Sequence, residues 1–283
     1  MRHLIVLEFK KLLRQRKSLT GIFAIFILNA LFALGFLLRS AKSGDQPSEI
    51  DGSYLVSDFL NAMVYTQTIL VPCTFIIFPM LLAIIGAHML AGELENGTLR
   101  LVLVRPVSRS SIMVAKITAL SAYAAMMILA LLVSSYVVSR LLLGPGEVSV
   151  VVGPMVGIPK EMGTVFILTP EQAYSRLFLS YLLSLPMQVA VCCLTMMMSV
   201  LTRHFTSAAV LTTMVYFSSY IIGIIPFLSA LDRYLPSRHW SFWKYALLPK
   251  IPWDQIALHG LWTFLYCLAF YLIGLAAFRH KDL

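Results

Sequence analysis

The chain has 283 residues, 59% of them hydrophobic and only 12% charged, and carries a formal net charge of +9. A soluble core of ordinary shape does not enclose that much apolar surface, so the composition excludes a water-soluble globular domain and requires lipid as solvent. The positive balance fits attraction to anionic headgroups; nucleic acid is not a partner to expect, because no hydrophilic basic domain is present to bind it.

A helix crosses the hydrocarbon layer with about 20 predominantly apolar residues, and six stretches qualify: 19–38, 67–91, 112–138, 177–201, 207–228 and 256–278. Ahead of them, residues 1–18 set Leu4, Ile5, Phe9, Leu12 and Leu13 on one helical face and Arg2, Lys10, Arg14 and Lys17 on the other. Such an amphipathic helix lies in the membrane interface. Two roles fit it equally: a positive anchor holding Arg14 and Lys17 at headgroup depth, or a connecting helix that cradles a partner. The first span is longer than a signal-peptide core and lacks a small-residue cleavage site, so it reads as retained.

The polar, turn-rich segment 39–66 reads as an outer loop with a short interfacial helix around Tyr54, Leu55, Phe59 and Leu60. The second span carries Pro72, Pro79, Gly86 and His88, and two prolines in one apolar run kink a helix or free carbonyls that neighbours must bond. After the third span, the β-branched runs 148–152 and 164–168 are punctuated by glycine and proline and can pair as a small hairpin. Pro186 and Gln188 interrupt the fourth span, and Arg203-His204 returns the chain at once as the fifth. Residues 229–255 interleave Tyr234, Trp240, Phe242, Trp243, Tyr245 and Trp253 with Arg233, Arg238, His239, Lys244 and Lys250. That mixture belongs at headgroup depth, with Trp240 and Trp243 as interface anchors.

With the amino terminus inside, the inner segments hold Arg2, Lys10, Lys11, Arg14, Arg16, Lys17, Arg100, Arg105, Arg109, Lys116, Arg203, Arg279 and Lys281 against four acids, Glu8, Glu93, Glu95 and Asp282. The outer segments receive most of the carboxylates, so the positive-inside rule sets both termini in the cytoplasm.

The most specific signal is the elbow between spans two and three, residues 92–111. Gly92 and Gly97 permit tight turns, Glu93 and Glu95 add acceptors at a helix end, and Leu99, Leu101 and Leu103 form an apolar knob for a partner's groove. The order Glu93, Glu95, Gly97-Thr98-Leu99-Arg100, Pro106-Val107-Ser108-Arg109 and then Lys116 resembles the cytoplasmic loop of ABC-2 type transporter permeases. The basic ending 278–283 resembles theirs too.

That resemblance implies an all-α integral membrane fold: a single domain over 1–283, with six transmembrane helices of the ABC-2 exporter type and an N-terminal amphipathic interfacial helix. It implies a multi-pass protein of the cytoplasmic (inner) membrane, whose partners are two copies of an ABC ATPase subunit, a second permease copy or sibling permease, and membrane lipids. Glu93, Glu95, Gly97, Thr98, Leu99, Arg100, Pro106 and Arg109 would couple it to the ATPase. The chain has no Gly-x-x-x-x-Gly-Lys-Ser/Thr phosphate loop, so ATP and Mg would sit at the partner and no cofactor on this chain. It is not expected to be an enzyme, since no triad, His-Glu-x-x-His or paired-carboxylate arrangement is present.

Cys73, Cys192, Cys193 and Cys267 all fall in apolar stretches without metal or disulfide spacing, and Met126-Met127 and Met196-Met197-Met198 read as packing residues because consecutive side chains on a helix diverge. Asn29, Gln67, His88 and Gln188 are polar groups within spans and should face protein. The leading functional expectation is export of a lipid-like molecule, drug or peptide. The alternative is a non-transporting permease that relays ATPase motion to an extracytoplasmic protein partner, as in metal-centre maturation or envelope assembly. Intramembrane catalysis is a distant third.

Overall fold

The computed structural model describes residues 2–42, 62–99, 108–143, 149–151, 165–167, 170–202, 204–225, 234–248 and 250–280. The elements in order are α1 (Arg2–Arg14), α2 (Arg16–Lys42), α3 (Ala62–Pro72), a π-helical turn (Cys73–Ile77), α4 (Phe78–Glu95), α5 (Arg109–Leu143), β1 (Ser149–Val151), β2 (Val165–Ile167), α6 (Pro170–Thr202), α7 (Phe205–Ile224), α8 (Pro236–Trp240), a 3-10 helix (Phe242–Leu247) and α9 (Trp253–Arg279). Among the described residues, six helical segments are long and apolar enough to cross a membrane: Ser18–Gly35, Tyr65–Glu95, Arg109–Leu142, Gln172–Thr202, Phe205–Gly223 and Trp253–Arg279. In hydrocarbon each backbone N–H and C=O must be bonded within its own segment, which is why these runs are helices.

Two strands depart from the helical rule. β1 and β2 pair antiparallel, with Ser149 opposite Ile167, Val150 opposite Phe166 and Val151 opposite Val165. They lie within the two β-branched runs expected to form a hairpin.

α6 sits at the centre, packed by α4, α5, α7, α9 and the 3-10 helix. Small residues let the backbones approach there. A Cβ on Gly86 of α4 would fall 2.6 Å from Leu120 Cδ2 of α5 and 2.8 Å from Thr195 Cγ2 of α6.

Several polar residues inside the spans bond one another. Asn29 donates to Ser134 Oγ (2.8 Å) and accepts from the Tyr65 hydroxyl (2.7 Å), while the Tyr181 hydroxyl donates to the Thr66 carbonyl (2.8 Å). These bonds tie α2, α3, α5 and α6 together in the half of the bundle remote from α1. We call the α1 end basal and the opposite end distal.

The outer faces are greasy. Phe23, Ile27, Leu31, Leu34 and Leu38 project from α2, and Leu261, Phe264, Leu268 and Leu272 from α9, all exposed on the isolated chain. Lipid is the solvent that such faces require.

Candidate functional site: the basal elbow

α4 ends where Gly97 takes φ +69°, a left-handed conformation that favours glycine. The Asn96 N–H reaches the Gly92 carbonyl (3.1 Å) and the Gly97 N–H the Leu94 carbonyl (3.2 Å), closing the last turn. Thr98 Oγ1 donates to the Glu93 carbonyl at 3.4 Å. The elbow therefore begins as a defined turn.

Behind that turn lies a four-charge network. Lys116 of α5 has a side chain with no exposed surface, and its Nζ donates to Glu8 Oε2 of α1 (3.0 Å), Glu93 Oε2 of α4 (2.9 Å) and the Met89 carbonyl (2.8 Å). The second oxygen of Glu93 pairs with Lys11 of α1. Two lysines and two glutamates cancel in charge, and the three ammonium protons of Lys116 each have an oxygen, which makes burial tolerable. The result pins α1 against both α4 and α5.

Two further contacts extend the stitching. The Glu95 carboxylate accepts the Phe205 N–H (3.0 Å) at the first turn of α7, where helical N–H groups have no intrahelical partner, and its other oxygen lies 3.7 Å from His204 Nδ1. Arg109 Nη1 donates to the Phe278 (2.6 Å) and Arg279 (3.0 Å) carbonyls at the end of α9. A cation on orphan carbonyls also complements the helix dipole. Glu93, Glu95 and Arg109 thus join α1, α4, α5, α7 and α9 at one end of the bundle.

Two expectations from sequence change here. Leu99 was assigned to a knob offered to a partner, but it is only 2% exposed and packs into the chain's own core, because burying its side chain anchors the turn. Trp240 and Trp243 were assigned to headgroup depth, but they are 1% and 0% exposed. Trp240 stacks on Tyr216 of α7 (centroids 5.6 Å, planes 15° apart), so the α8 segment folds into the protein, and its aromatic surface is taken up there before lipid can reach it.

Arg100 and Pro106 lie outside the described residues, as does the side chain of Lys17. Arg14 is exposed at the end of α1, alongside exposed Arg2 and Lys10. Sequence reasoning missed Glu8 and Lys11 as bundle-facing groups and treated Lys116 as a surface charge. A signal for Lys116 existed, since it falls inside the apolar run 112–138 and a charge there must find a partner.

At the distal end, the short α8 and 3-10 helix are clamped from several sides. His239 Nδ1 and His259 Nδ1 stand 2.9 Å apart, Ser237 bonds Ser219 of α7 through both its N–H (3.2 Å) and its hydroxyl (2.9 Å), and Arg176 of α6 donates to the Leu248 carbonyl. Lys244 is buried with its Nζ 4.6 Å from the Phe75 ring centroid, and desolvation lowers its pKa to about 8. Among the described residues, no three His, Cys, Asp or Glu side chains converge as a metal site.

The family model described as "ABC-2 family transporter protein" matches residues 3–232, a span that includes α1, the elbow and the first five membrane helices. No curated protein matches the chain.

Proposed function

The chain belongs to the ABC-2 family of transporter proteins, and on that premise we propose that it is the permease of an ATP-driven exporter, moved by a separate ABC ATPase that docks on α1 and the Glu93–Gly97 elbow. The observation that carries this reading is the buried Lys116, bonded at once to Glu8 of α1 and Glu93 of α4. Through it, a force applied to α1 or to the elbow reaches α4 and α5 together, so the basal surface moves as a unit.

Exposed Arg2, Lys10 and Arg14 on α1 offer cations to the partner or to anionic headgroups. The basal end would face the cytoplasm, with both termini there. Two permeases, two copies or this chain with a sibling, would sit over two ATPases. Differential contact of the base with two nucleotide states of the ATPase would shift the bundle between two arrangements. An amphiphilic cargo suits the design: the apolar faces of α2 and α9 open sideways to lipid, and Asn29, Tyr65, Ser134 and Tyr181 in the interior are engaged in bonds within the bundle.

The test is reconstitution with an ABC ATPase that co-purifies with the chain. Glu93→Ala should leave membrane insertion intact and abolish ATP-dependent movement of a fluorescent lipid analogue in proteoliposomes. Arg14→Glu should weaken capture of the ATPase. Wild-type capture and wild-type movement in both variants would remove the basal docking assignment.

A further inference from the structure

Proline lacks the N–H that a helix uses to bond a carbonyl four residues back, or five back where the winding is π. Ahead of Pro79 the chain is wound as the π turn Cys73–Ile77, with the Phe78 N–H reaching the Cys73 carbonyl. The carbonyls that a residue 79 N–H would serve are therefore those of Thr74 and Phe75. Each receives a donor from another helix: Gln188 Nε2 of α6 lies 3.1 Å from the Thr74 carbonyl, and the Tyr216 hydroxyl of α7 lies 2.9 Å from the Phe75 carbonyl. Both side chains are buried, and they replace in lipid the bond that proline removes.

The break is also tied to the distal segment. Tyr216, while holding the Phe75 carbonyl, stacks on Trp240 of α8. The Phe75 ring meets Tyr220 edge-on at 5.3 Å and Trp243 at 6.1 Å, and Lys244 Nζ lies over it. At the far end of the same helix, Glu93 is held by Lys11 and Lys116. At the break itself Thr74 Oγ1 and Gln188 Oε1 are buried without a hydrogen-bond partner, so each of the two residues keeps an unused bonding group there.

We propose that the segment from Pro72 to Pro79 is a pivot, positioned by Gln188 and Tyr216, that converts displacement of the Glu93 end of α4 into displacement of α8 and the 3-10 helix at the distal end. The proposal rests on the basal docking reading only for the source of the displacement. An unbroken helix resists bending because its ladder must open. Here the ladder is already open and its carbonyls are held by side chains that can re-pair. Gln188 and Tyr216 are positioning residues that hold the pivot through the Thr74 and Phe75 carbonyls.

The experiment uses the full chain in lipid nanodiscs, labelled with 5-fluorotryptophan and read by ¹⁹F NMR, so that Trp240 and Trp243 report the distal segment. Glu93→Gln should shift the resonances of both tryptophans, with Lys11→Gln as a gentler perturbation of the same carboxylate. In a Pro79→Ala background, where alanine supplies the missing N–H, those shifts should disappear. Tyr216→Phe keeps the stacked ring and removes the donor; it should lower the thermal midpoint, and Pro79→Ala added to it should restore part of the loss. Unmoved Trp240 and Trp243 resonances in both basal variants overturn the pivot, as do shifts that persist unchanged with Pro79→Ala. These readouts need no ATPase, so failure of the docking assignment would leave them standing.

Discussion

Lys116 is the residue on which the basal end turns. An ammonium group with no exposed surface survives because Glu8, Glu93 and the Met89 carbonyl take its three protons. Such networks add little over an apolar replacement of the whole set, yet removing one partner leaves buried charge uncompensated. Lys116→Met should therefore lower stability by about 3–5 kcal/mol, read as denaturant unfolding in detergent micelles. Adding Glu8→Gln should recover part of that loss, since it removes the carboxylate left without its cation, while Glu93 keeps Lys11. A loss below about 1 kcal/mol, the range of an exposed pair, would show that the ammonium is not desolvated as described. The partnership itself was not legible in the sequence: Glu8 and Lys116 are 108 residues apart, and no local pattern announces which acid a buried lysine meets. Its burial was legible, since a charge within a span demands a partner.

At the scale of elements, the fold was readable where lipid dictates it. Span length follows from bilayer thickness, and the six apolar runs appear as helices because no other open-chain structure satisfies its backbone there. The turn that opens the elbow was readable at Gly97, which takes positive φ, whereas Gly92, also expected at a turn, stays inside α4. The ABC-2 resemblance implied short helices in the α8 segment, and they are present; what the composition left open was whether Trp240 and Trp243 face headgroups or protein, and only tertiary contacts such as Tyr216 on Trp240 separate the two. The close approach of α4 to α5 and α6 depends on Gly86, which in sequence is only a glycine in an apolar run. Gly86→Leu should cost about 1–3 kcal/mol or more through overpacking against Leu120 and Thr195. Gly35, with open space where a Cβ would go, is the control, and Gly35→Leu should leave the thermal midpoint unchanged. Equal midpoints for the two variants would mean that α4 does not approach its neighbours this closely.

For the whole molecule, the balance of exposed cations between the two ends is what its orientation should follow. Among the described residues the basal end exposes Arg2, Lys10, Lys11, Arg14 and Arg279 against Glu95, with Glu8 and Glu93 turned inward onto lysines, and the distal end exposes Arg140, Arg238 and Lys250 against Asp254. Cations left uncovered near span ends resist translocation and are attracted to the anionic inner leaflet at about 1 kcal/mol each. The basal end leads by two such groups, roughly 2 kcal/mol and about three times the thermal energy, so the orientation with that end inside should dominate. A cysteine at exposed Lys10 should be shielded from a membrane-impermeant maleimide in intact cells and labelled only after permeabilisation. One at exposed Arg238, at the distal end, should be labelled without it. The native cysteines interfere little: Cys73, Cys192 and Cys193 are buried and Cys267 lies within a membrane helix. Substituting Lys10, Arg14 and Arg2 together by Gln removes that lead and should yield a mixed population labelled at both sites. Labelling of Lys10→Cys in intact cells would invert the molecule, place the elbow outside, and leave an ATP-hydrolysing partner no surface on which to act.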